Sequence, residues 1–529
     1  MASPSLFALR VRAGIARWLD EIETGWSIPV FILGFVALAT LILSITYANA
    51  NLHMDVLETW SVGRKLAWGF WKHPPLMGWA AHGWTDVFPL TDWSFRLLAM
   101  VNAGLALFAV DLIARRFVRG DKRAVILLLL LLTPIYQFHA EKFNANSVLL
   151  AVWPLATYCF LRSFEDRTAG WAAAAGFLCA LAMLGKYYSI FLLAGFVIAG
   201  ILHPDRAHYL RSKAPWISLA CGLVGIAPHI YWLWQNNFEP FHYAAGGHIG
   251  KPGVRPFKDV ALFALTNAAY LLLPAACLCV MLRSKWREWG ASLRALPSGL
   301  LLLFLVFATS FLLPMVVVVV LGSDLPATWH FQALFFVILI AVCALRFEIP
   351  RRETINLATT VGGLAIVALF ASPVYALYRN AKPTPSGREF YRSAAETLTK
   401  AWHDAYGTPL TYVSGDDGLA FAAEFYSPDH PRYSQLFVGH SIWEVPLDYI
   451  FAKGWSALCF TGEPDCDAWM AKIVQKVPEA RRWSFPVRLS LWGVRGASRD
   501  VTAIMIAPPA TPGDEIPAER LDEVGARRR

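Results

Sequence analysis

Two carboxylates stand close together near the beginning of the chain, where they could carry chemistry. Asp55 follows the first long apolar stretch, residues 27–48, and Glu58 comes three positions later. Residues three apart share one face of a helix. A carboxylate held at the edge of a bilayer can accept the proton of a hydroxyl, as a general base does. The pair is therefore a candidate catalytic site, although two solvated loop acids would have the same spacing.

A second candidate site combines cations with aromatic rings. Lys72 and His73 follow Trp71 and precede two consecutive prolines. The prolines restrict the backbone, so that both potentially positive groups are presented beside an aromatic side chain. Such groups bind a phosphate strongly when water is excluded. The tryptophans of this segment could also form an interfacial aromatic belt, and this alternative remains open for some of them.

Further candidates lie at the edges of apolar stretches. Lys186 interrupts an otherwise apolar run, and a lysine inside a membrane is costly and usually functional. A contact with a phosphate and a side chain extended to the interface are both open for it. Three others are substrate-binding candidates: Tyr187 beside it, His248 in the glycine-rich segment 236–258, and His330 at the mouth of an apolar stretch. For the two histidines, a solvated loop and a packed side chain are the simpler alternatives.

The elements that must position these residues are membrane helices. The 529-residue chain is 56% hydrophobic and only 16% charged, with a mean hydropathy of +0.44; soluble proteins are about 25% charged. This composition excludes a disordered chain, a coiled coil and an ordinary soluble enzyme. Since about 20 apolar residues cross a bilayer, we predict spans over residues 27–48, 93–114, 124–138, 146–162, 171–184, 188–203, 215–235, 259–282, 297–321, 330–346 and 354–378. Because hydropathy does not fix where each span begins and ends, we predict about 11–13 transmembrane helices in all.

Charge indicates how the chain is oriented. If the N-terminus is cytoplasmic, the inner loops carry 20 Lys and Arg residues and the outer segments nine. By the positive-inside rule, loop 49–92 and the C-terminal tail then lie outside, in the periplasm of a Gram-negative cell. The first 378 residues hold 29 basic and 19 acidic residues. We interpret that surplus as membrane orientation and phosphate binding, since no basic face of a soluble domain indicates a nucleic-acid partner.

The tail differs from the rest of the chain in its charge and in its residue pattern. It is nearly neutral, with 18 basic and 19 acidic residues from Arg379 onward. We predict a transmembrane catalytic domain over residues 1–378 and a small soluble α/β domain over 379–529. The tail pattern predicts helices over 386–405 and 466–477, and strands over 410–414, 457–461, 487–494 and 501–507. Cys459 and Cys466 could form a disulfide, or Cys459 could simply be buried in its strand.

Several motifs together resemble one family. They are Asp55-x-x-Glu58, Gly69–Phe70–Trp71, His73–Pro74–Pro75–Leu76, the segments 138–147 and 184–188, and Pro228–His229 with Trp232. In this order they resemble the dolichyl-phosphate-mannose-protein mannosyltransferase-like (PMT-like) glycosyltransferases of the GT-C superfamily. That family includes the lipid A aminoarabinose transferase and the rhizobial lipopolysaccharide-core galacturonosyltransferases. The resemblance covers residues 27–350 and implies a GT-C membrane domain.

The resemblance also implies an activity and roles for residues. It implies an inverting transfer of a sugar from a polyprenyl-phosphate donor to an acceptor on the outer face of the bacterial inner membrane. Asp55 matches the family's catalytic aspartate, with Glu58 beside it. The expected phosphate ligands are Lys72, His73, Lys142 and Lys186, and the expected substrate contacts are Glu141, Trp71, Tyr187, His248 and His330. Many relatives have an acid where this chain has Asn144 or Asn146, and Glu141 could substitute for it.

The sequence leaves alternatives open for the cofactor, the acceptor and the class of function. No cofactor is required, although His73 and Glu58 could bind a divalent metal. The expected acceptor is lipid A or lipopolysaccharide core, with a protein hydroxyl or another envelope glycan as the alternative. A transporter or flippase of lipid-linked intermediates is the alternative from a different class. It would predict charged residues in mid-span and repeated, broken helices, whereas here the polar groups gather at one face and no repeat is visible. A catalytically inactive scaffold is a third possibility.

Overall fold

The computed structural model describes residues 6–248, 255–434 and 452–509. The helices that precede the tail are α1 Leu6–Asp20, α2 Ser27–Thr46, α3 Met54–Gly63, α4 Leu76–Thr85, α5 Asp92–Ala114, α6 Asp121–Leu131, α7 Leu149–Asp166, α8 Ala169–Gly185, α9 Ile190–Leu202, α10 Arg206–Leu210, α11 Ala214–Gln235, α12 Glu239–His248, α13 Arg255–Met281, α14 Trp286–Arg294, α15 Ser298–Leu321, α16 Phe335–Cys343 and α17 Arg351–Ala381.

Each of the eleven predicted spans contains a helix. Six of these helices, α2, α5, α11, α13, α15 and α17, have 20 to 31 residues and are apolar enough to cross a membrane. The other five, α6, α7, α8, α9 and α16, have 9 to 18 residues. The prediction of one helix over 124–138 is wrong in detail, because α6 ends at Leu131 and a separate wide turn, Ile135–His139, follows Pro134. A proline cannot continue the helical hydrogen-bond ladder.

The described chain divides into two compact units. The first comprises Met1–Leu41, Lys72–Met77 and Arg96–Leu369, and the second comprises Ile42–Trp71, Gly78–Phe95 and Phe370–Arg529. The first unit is helical, and α11 packs on α8 through small residues. A methyl group on Gly176 of α8 would overlap the backbone carbonyl of Ser218 on α11. Such close approach at small residues is typical of helix pairs in membranes.

The break in the apolar run at Lys186 is a change of backbone direction. The helix α8 ends at Gly185, and Lys186 is extended, with φ −163° and ψ 139°. A short 3₁₀ turn, Tyr187–Ser189, then leads into α9. The sequence prediction of two helices separated at this position is confirmed. Lys186 and Tyr187 therefore lie in the short connection between two apolar helices.

The second unit contains the predicted α/β tail. Its strands are β1 Tyr412–Gly415, β2 Arg432–Tyr433, β3 Trp455–Phe460, β4 Arg481–Leu491 and β5 Val494–Ile506, and its helices are α18 Tyr391–Tyr406, α19 Asp417–Tyr426 and α20 Pro464–Lys476. The sheet order is β2-β1-β3-β5-β4. Strands β2, β1 and β3 are parallel, and β5 is antiparallel to both β3 and β4. The predicted combination of a helical membrane domain and a small α/β domain is confirmed.

Local details of the tail differ from the prediction. The strand predicted over 487–494 is wrong at its end, because Trp492 and Gly493 form the turn between β4 and β5 with positive φ. Helix α19 and strand β2 were not predicted. Cys459 and Cys466 are disulfide-bonded, which links β3 to α20. The bond lies in a core that includes Trp455, Trp469 and Met470, so the cysteine is both buried and paired.

Candidate active site

The carboxylate pair lies on α3, in the second unit. His53 caps the helix: its Nδ1 accepts a hydrogen bond from the Asp55 N–H at 3.2 Å. Asp55 is in the first helical turn, where the helix dipole favours a negative charge. Its side chain is 30% exposed, whereas Glu58 is only 6% exposed as a residue. Asp55 can therefore meet a substrate, while Glu58 faces the protein interior.

The other end of α3 is held by an ion pair that the sequence did not reveal. Arg64 directly follows the helix, and its Nη1 lies 2.6 Å from Oε1 of Glu424 on α19. The guanidinium also lies 5.2 Å from the centre of the Trp60 ring. Burial raises the pKa of Glu424, and the positive charge of Arg64 opposes that rise. The pair fixes α3 against the helix that precedes β2.

Lys72 and His73 lie in the first unit, at a short connection before α4. Both side chains are half-buried. Burial holds the pKa of His73 well below its ordinary value, and the positive charges of Lys72 and Lys186 lower it further. The imidazole is therefore neutral at physiological pH. The same interaction shows that Lys72, His73 and Lys186 gather in one region, as a site for an anion requires.

Lys186 is oriented by two neutral groups. Its Nζ donates a hydrogen bond to Oδ1 of Asn146 at 2.6 Å and lies 4.2 Å from the centre of the Trp329 ring. Neither contact neutralises the charge, because an amide and an indole carry none. Asn146 is one of the two asparagines at which the family resemblance leads one to expect an acid. The contact with Asn146 therefore orients Lys186 through a neutral partner.

Several local hydrogen bonds hold the segment around Asn146. Oδ1 of Asn144 accepts hydrogen bonds from the backbone N–H groups of Asn146 and Ser147, at 2.9 and 3.0 Å. The Ser147 hydroxyl donates to the carbonyl of Lys142 at 2.9 Å. Glu141 is buried, with 4% exposure, and Lys142 is half-buried. The turn thus holds Lys142 and Asn146 in defined places within the first unit.

The two aromatic candidates, Tyr187 and Trp71, belong to different units. Tyr187 is hydrogen-bonded through its hydroxyl to Nε2 of His229 at 3.0 Å, and it stacks on Phe241 of α12 with ring centres 4.8 Å apart. Trp71 is buried in the second unit. Tyr187 therefore connects the Lys186 linker with α11 and α12. Helix α11 ends just before the glycine-rich segment, and α12 lies within it.

The two histidine candidates have less direct access to a substrate. His330 is fully buried, and its Nδ1 lies 3.3 Å from the Tyr188 hydroxyl. Aromatic rings surround it, those of Trp153, Phe263, Phe307 and Phe311. This placement favours a packing role. His248 is the last residue of α12, and its side chain lies outside the described residues.

Within the described parts of the chain, no three His, Cys, Asp or Glu side chains gather in a way that could hold a metal ion. His73 and Glu58, which could have bound a metal together, belong to different units. That no cofactor is required, with a divalent metal as an option, remains a prediction.

Comparison with known proteins adds to these observations. Residues 72–232 match the family model of the dolichyl-phosphate-mannose-protein mannosyltransferases. A lipid A galacturonosyltransferase of Rhizobium johnstonii, RgtD, is 22% identical over 238 residues, which are 44% of this chain and 49% of that protein. The alignment thus spans about half the length of that curated relative.

Solved structures show the same fold. The crystal structure of ArnT from Cupriavidus metallidurans bound to undecaprenyl phosphate superposes with a TM-score of 0.58, at 14% identity, over 91% of this chain and 99% of that one. Its apo structure gives the same TM-score and identity over 92% and 98%. The resemblance drawn from the motifs is therefore confirmed: this chain resembles the PMT-like glycosyltransferases of the GT-C superfamily, in the family match of residues 72–232 and in its fold.

Proposed function

We propose that this protein is an integral-membrane glycosyltransferase that moves a sugar from a polyprenyl-phosphate donor to an acceptor at the outer face of the bacterial inner membrane. The acceptor class is lipid A or lipopolysaccharide core. The observation that carries the proposal is the group formed by Lys72, His73 and Lys186, which brings two lysine side chains together at the edge of apolar helices. A lipid-linked phosphate combines the negative charge and the apolar tail that such a place accommodates.

The donor phosphate is the leaving group in this reaction. It lies against Lys186 and Lys72, with Lys142 nearby in the same unit, and His73 supplies a neutral hydrogen-bonding group. Negative charge on the phosphate grows as the bond from the anomeric carbon to the phosphate oxygen breaks. Fixed cations placed at that position stabilise the developing charge without reorganisation. The Trp329 ring, 4.2 Å from Lys186 Nζ, covers part of this half-buried lysine.

The acceptor hydroxyl requires a base. Asp55 takes its proton as the hydroxyl oxygen attacks the anomeric carbon from the side opposite the phosphate, so that one displacement inverts the configuration. The products are the glycosylated acceptor, polyprenyl phosphate and a protonated Asp55, which returns its proton to water. Glu58, three positions later on the same helix, is buried and takes no part in the proton transfer.

Support for the substrate classes comes from the relatives. RgtD is a lipid A galacturonosyltransferase, and the structure of ArnT holds undecaprenyl phosphate. The charge bias of the loops supports the further proposal that the N-terminus is cytoplasmic and the tail periplasmic.

Mass spectrometry of envelope glycolipids tests the proposal. A deletion strain should lack one glycosyl residue on lipid A or core, and the wild-type gene should restore it. The purified protein should transfer sugar from a polyprenyl-phosphate donor and not from a nucleotide sugar. Unchanged glycolipids together with altered glycoproteins would contradict the acceptor assignment, and transfer from a nucleotide sugar would contradict the donor assignment.

A further inference from the structure

One phenolic oxygen lies between the two ends of the loop that carries Asp55. The backbone N–H of Leu52 donates a hydrogen bond to the Tyr426 hydroxyl at 2.9 Å. The same hydroxyl donates to Oδ1 of Asp92 at 2.7 Å. Leu52 comes just before α3, and Asp92 is the first residue of α5. Tyr426, the last residue of α19 in the tail, therefore joins the beginning and the end of the outer loop.

A second set of contacts repeats this connection. The backbone N–H of Arg392 on α18 donates to Oδ1 of Asn51 at 2.9 Å, and its guanidinium donates to Oδ2 of Asp92 at 2.9 Å. The guanidinium also lies 4.4 Å from the centre of the Tyr426 ring. Nε of Arg388 donates to the carbonyl of Asn51 at 2.9 Å. Both carboxylate oxygens of Asp92 are thus bonded to tail residues, and so are two consecutive residues, Asn51 and Leu52.

The anchored residues Asn51 and Leu52 lie just before α3 in the sequence, so the anchoring also affects the start of that helix. Leu52 precedes the cap residue His53, whose ring accepts the Asp55 N–H. Leu52 is 2% exposed and Asn51 is 7% exposed, so water does not readily replace the hydroxyl as the acceptor. A buried N–H that loses its acceptor drives a local shift of the backbone. Any shift at Leu52 reaches Asp55 through only three residues.

We propose that Tyr426 is a positioning residue for Asp55, because its hydroxyl ties both ends of the outer loop to the tail. The tail domain is then a part of the active site's scaffold, independent of any contact with an acceptor. The catalytic consequence rests on the proposed function, in which Asp55 is the base. The anchoring itself does not.

Hydrogen–deuterium exchange of the full-length protein tests the anchoring without an activity assay. Tyr426→Phe removes the oxygen and keeps the ring. Tyr433→Phe is the matched control, because the Tyr433 hydroxyl bonds to Asp417 and its ring stacks on Phe421, all within the tail. Amides in peptides covering residues 50–60 should exchange about fivefold faster in Tyr426→Phe, the factor for one lost neutral hydrogen bond. Unchanged exchange there, or an equal increase in the control, would overturn the proposal.

A double-mutant cycle tests whether Tyr426 acts through Asp55. Tyr426→Phe should lower kcat about tenfold in the wild-type background, because small misplacements of a catalytic group are costly. In the Asp55→Asn background, where no base remains to be positioned, the same change should have less than a twofold effect on residual transfer. An equal fall in both backgrounds would show general damage and overturn the positioning role.

Failure of the proposed function is distinguishable from failure of this inference. If the wild-type protein transfers no sugar from any polyprenyl-phosphate donor, the proposed function fails. The exchange experiment still decides whether the Tyr426 hydroxyl holds the loop: faster exchange over residues 50–60 supports the anchoring, and unchanged exchange overturns it.

Discussion

Replacing Arg64 by methionine should destabilise the second unit in a pH-dependent manner. Glu424 is fully buried and Arg64 is 24% exposed as a side chain. Besides the carboxylate, the guanidinium donates hydrogen bonds to the carbonyls of Pro431 and His430, at 3.1 and 3.0 Å. Removing one partner of a buried pair typically costs about 3–5 kcal/mol, because the other charge remains buried without compensation.

The pH dependence follows from the protonation of Glu424. Its pKa is already raised above the ordinary value of 4.5 by burial, and the loss of Arg64 raises it further. A carboxyl whose pKa is raised on folding loses stability as pH increases from its unfolded pKa towards its folded pKa. Keeping the carboxyl neutral costs about 1.4 kcal/mol per pH unit above 4.5, which is at most about 5 kcal/mol at pH 8 and about 1.4 kcal/mol at pH 5.5.

We therefore expect Arg64→Met to lose about 3–5 kcal/mol at pH 8 and about 1–2 kcal/mol at pH 5.5. Thermal unfolding of the purified protein, followed by tryptophan fluorescence at both pH values, measures the difference. Arg482→Met is the control: Arg482 pairs with Asp467 at 3.3 Å on the surface of the same unit, and exposed pairs contribute about 0–1 kcal/mol. The reasoning is refuted if Arg64→Met loses equal stability at both pH values, or unfolds like the control.

Three further predictions concern the donor site, the disulfide and the topology. Lys186→Met should weaken binding of polyprenyl phosphate by about 10- to 100-fold, as for the loss of a charged hydrogen bond, and transfer should slow as well; a binding assay that shows unchanged affinity would argue against a phosphate contact. Reducing the Cys459–Cys466 bond should destabilise the tail by about 2–3 kcal/mol, seen as a lower unfolding midpoint with reductant. A reporter active only in the periplasm should be active when fused after Arg529 and silent near Arg119, and the reverse pattern would invert the topology.

Much of the architecture could be predicted because its signals are local. Apolar stretches identify the helices of the membrane region, and one lysine inside such a run located the break at Lys186. The alternation of apolar residues predicted most of the tail strands. In contrast, α19 was missed because it is buried on all sides from Gly418 to Phe425, so its residues show no helical period of polar and apolar positions. Strand β2 has only two residues, too few for any pattern.

The contacts that organise the candidate site could not be predicted from one sequence. Arg64 and Glu424 lie 360 positions apart, and Leu52 and Tyr426 lie 374 apart. Nothing in the local sequence links such residues, since each is ordinary for its own segment. His330 shows the opposite case: its position at the mouth of an apolar run suggested access to a substrate, whereas aromatic rings from several helices enclose it. Tertiary packing, which local patterns do not encode, decides both cases.

Transfer kinetics of Asp55→Asn test the central claim most directly. The amide keeps the size of the side chain and cannot accept the proton. A general base contributes about 10²–10⁴-fold, so transfer from a polyprenyl-phosphate sugar should fall at least a hundredfold while donor binding is retained. Asp86→Asn, the same change at an exposed position of the same outer loop, should leave the rate close to that of the wild type. If Asp55→Asn kept more than about a tenth of the wild-type rate, Asp55 would not be the base.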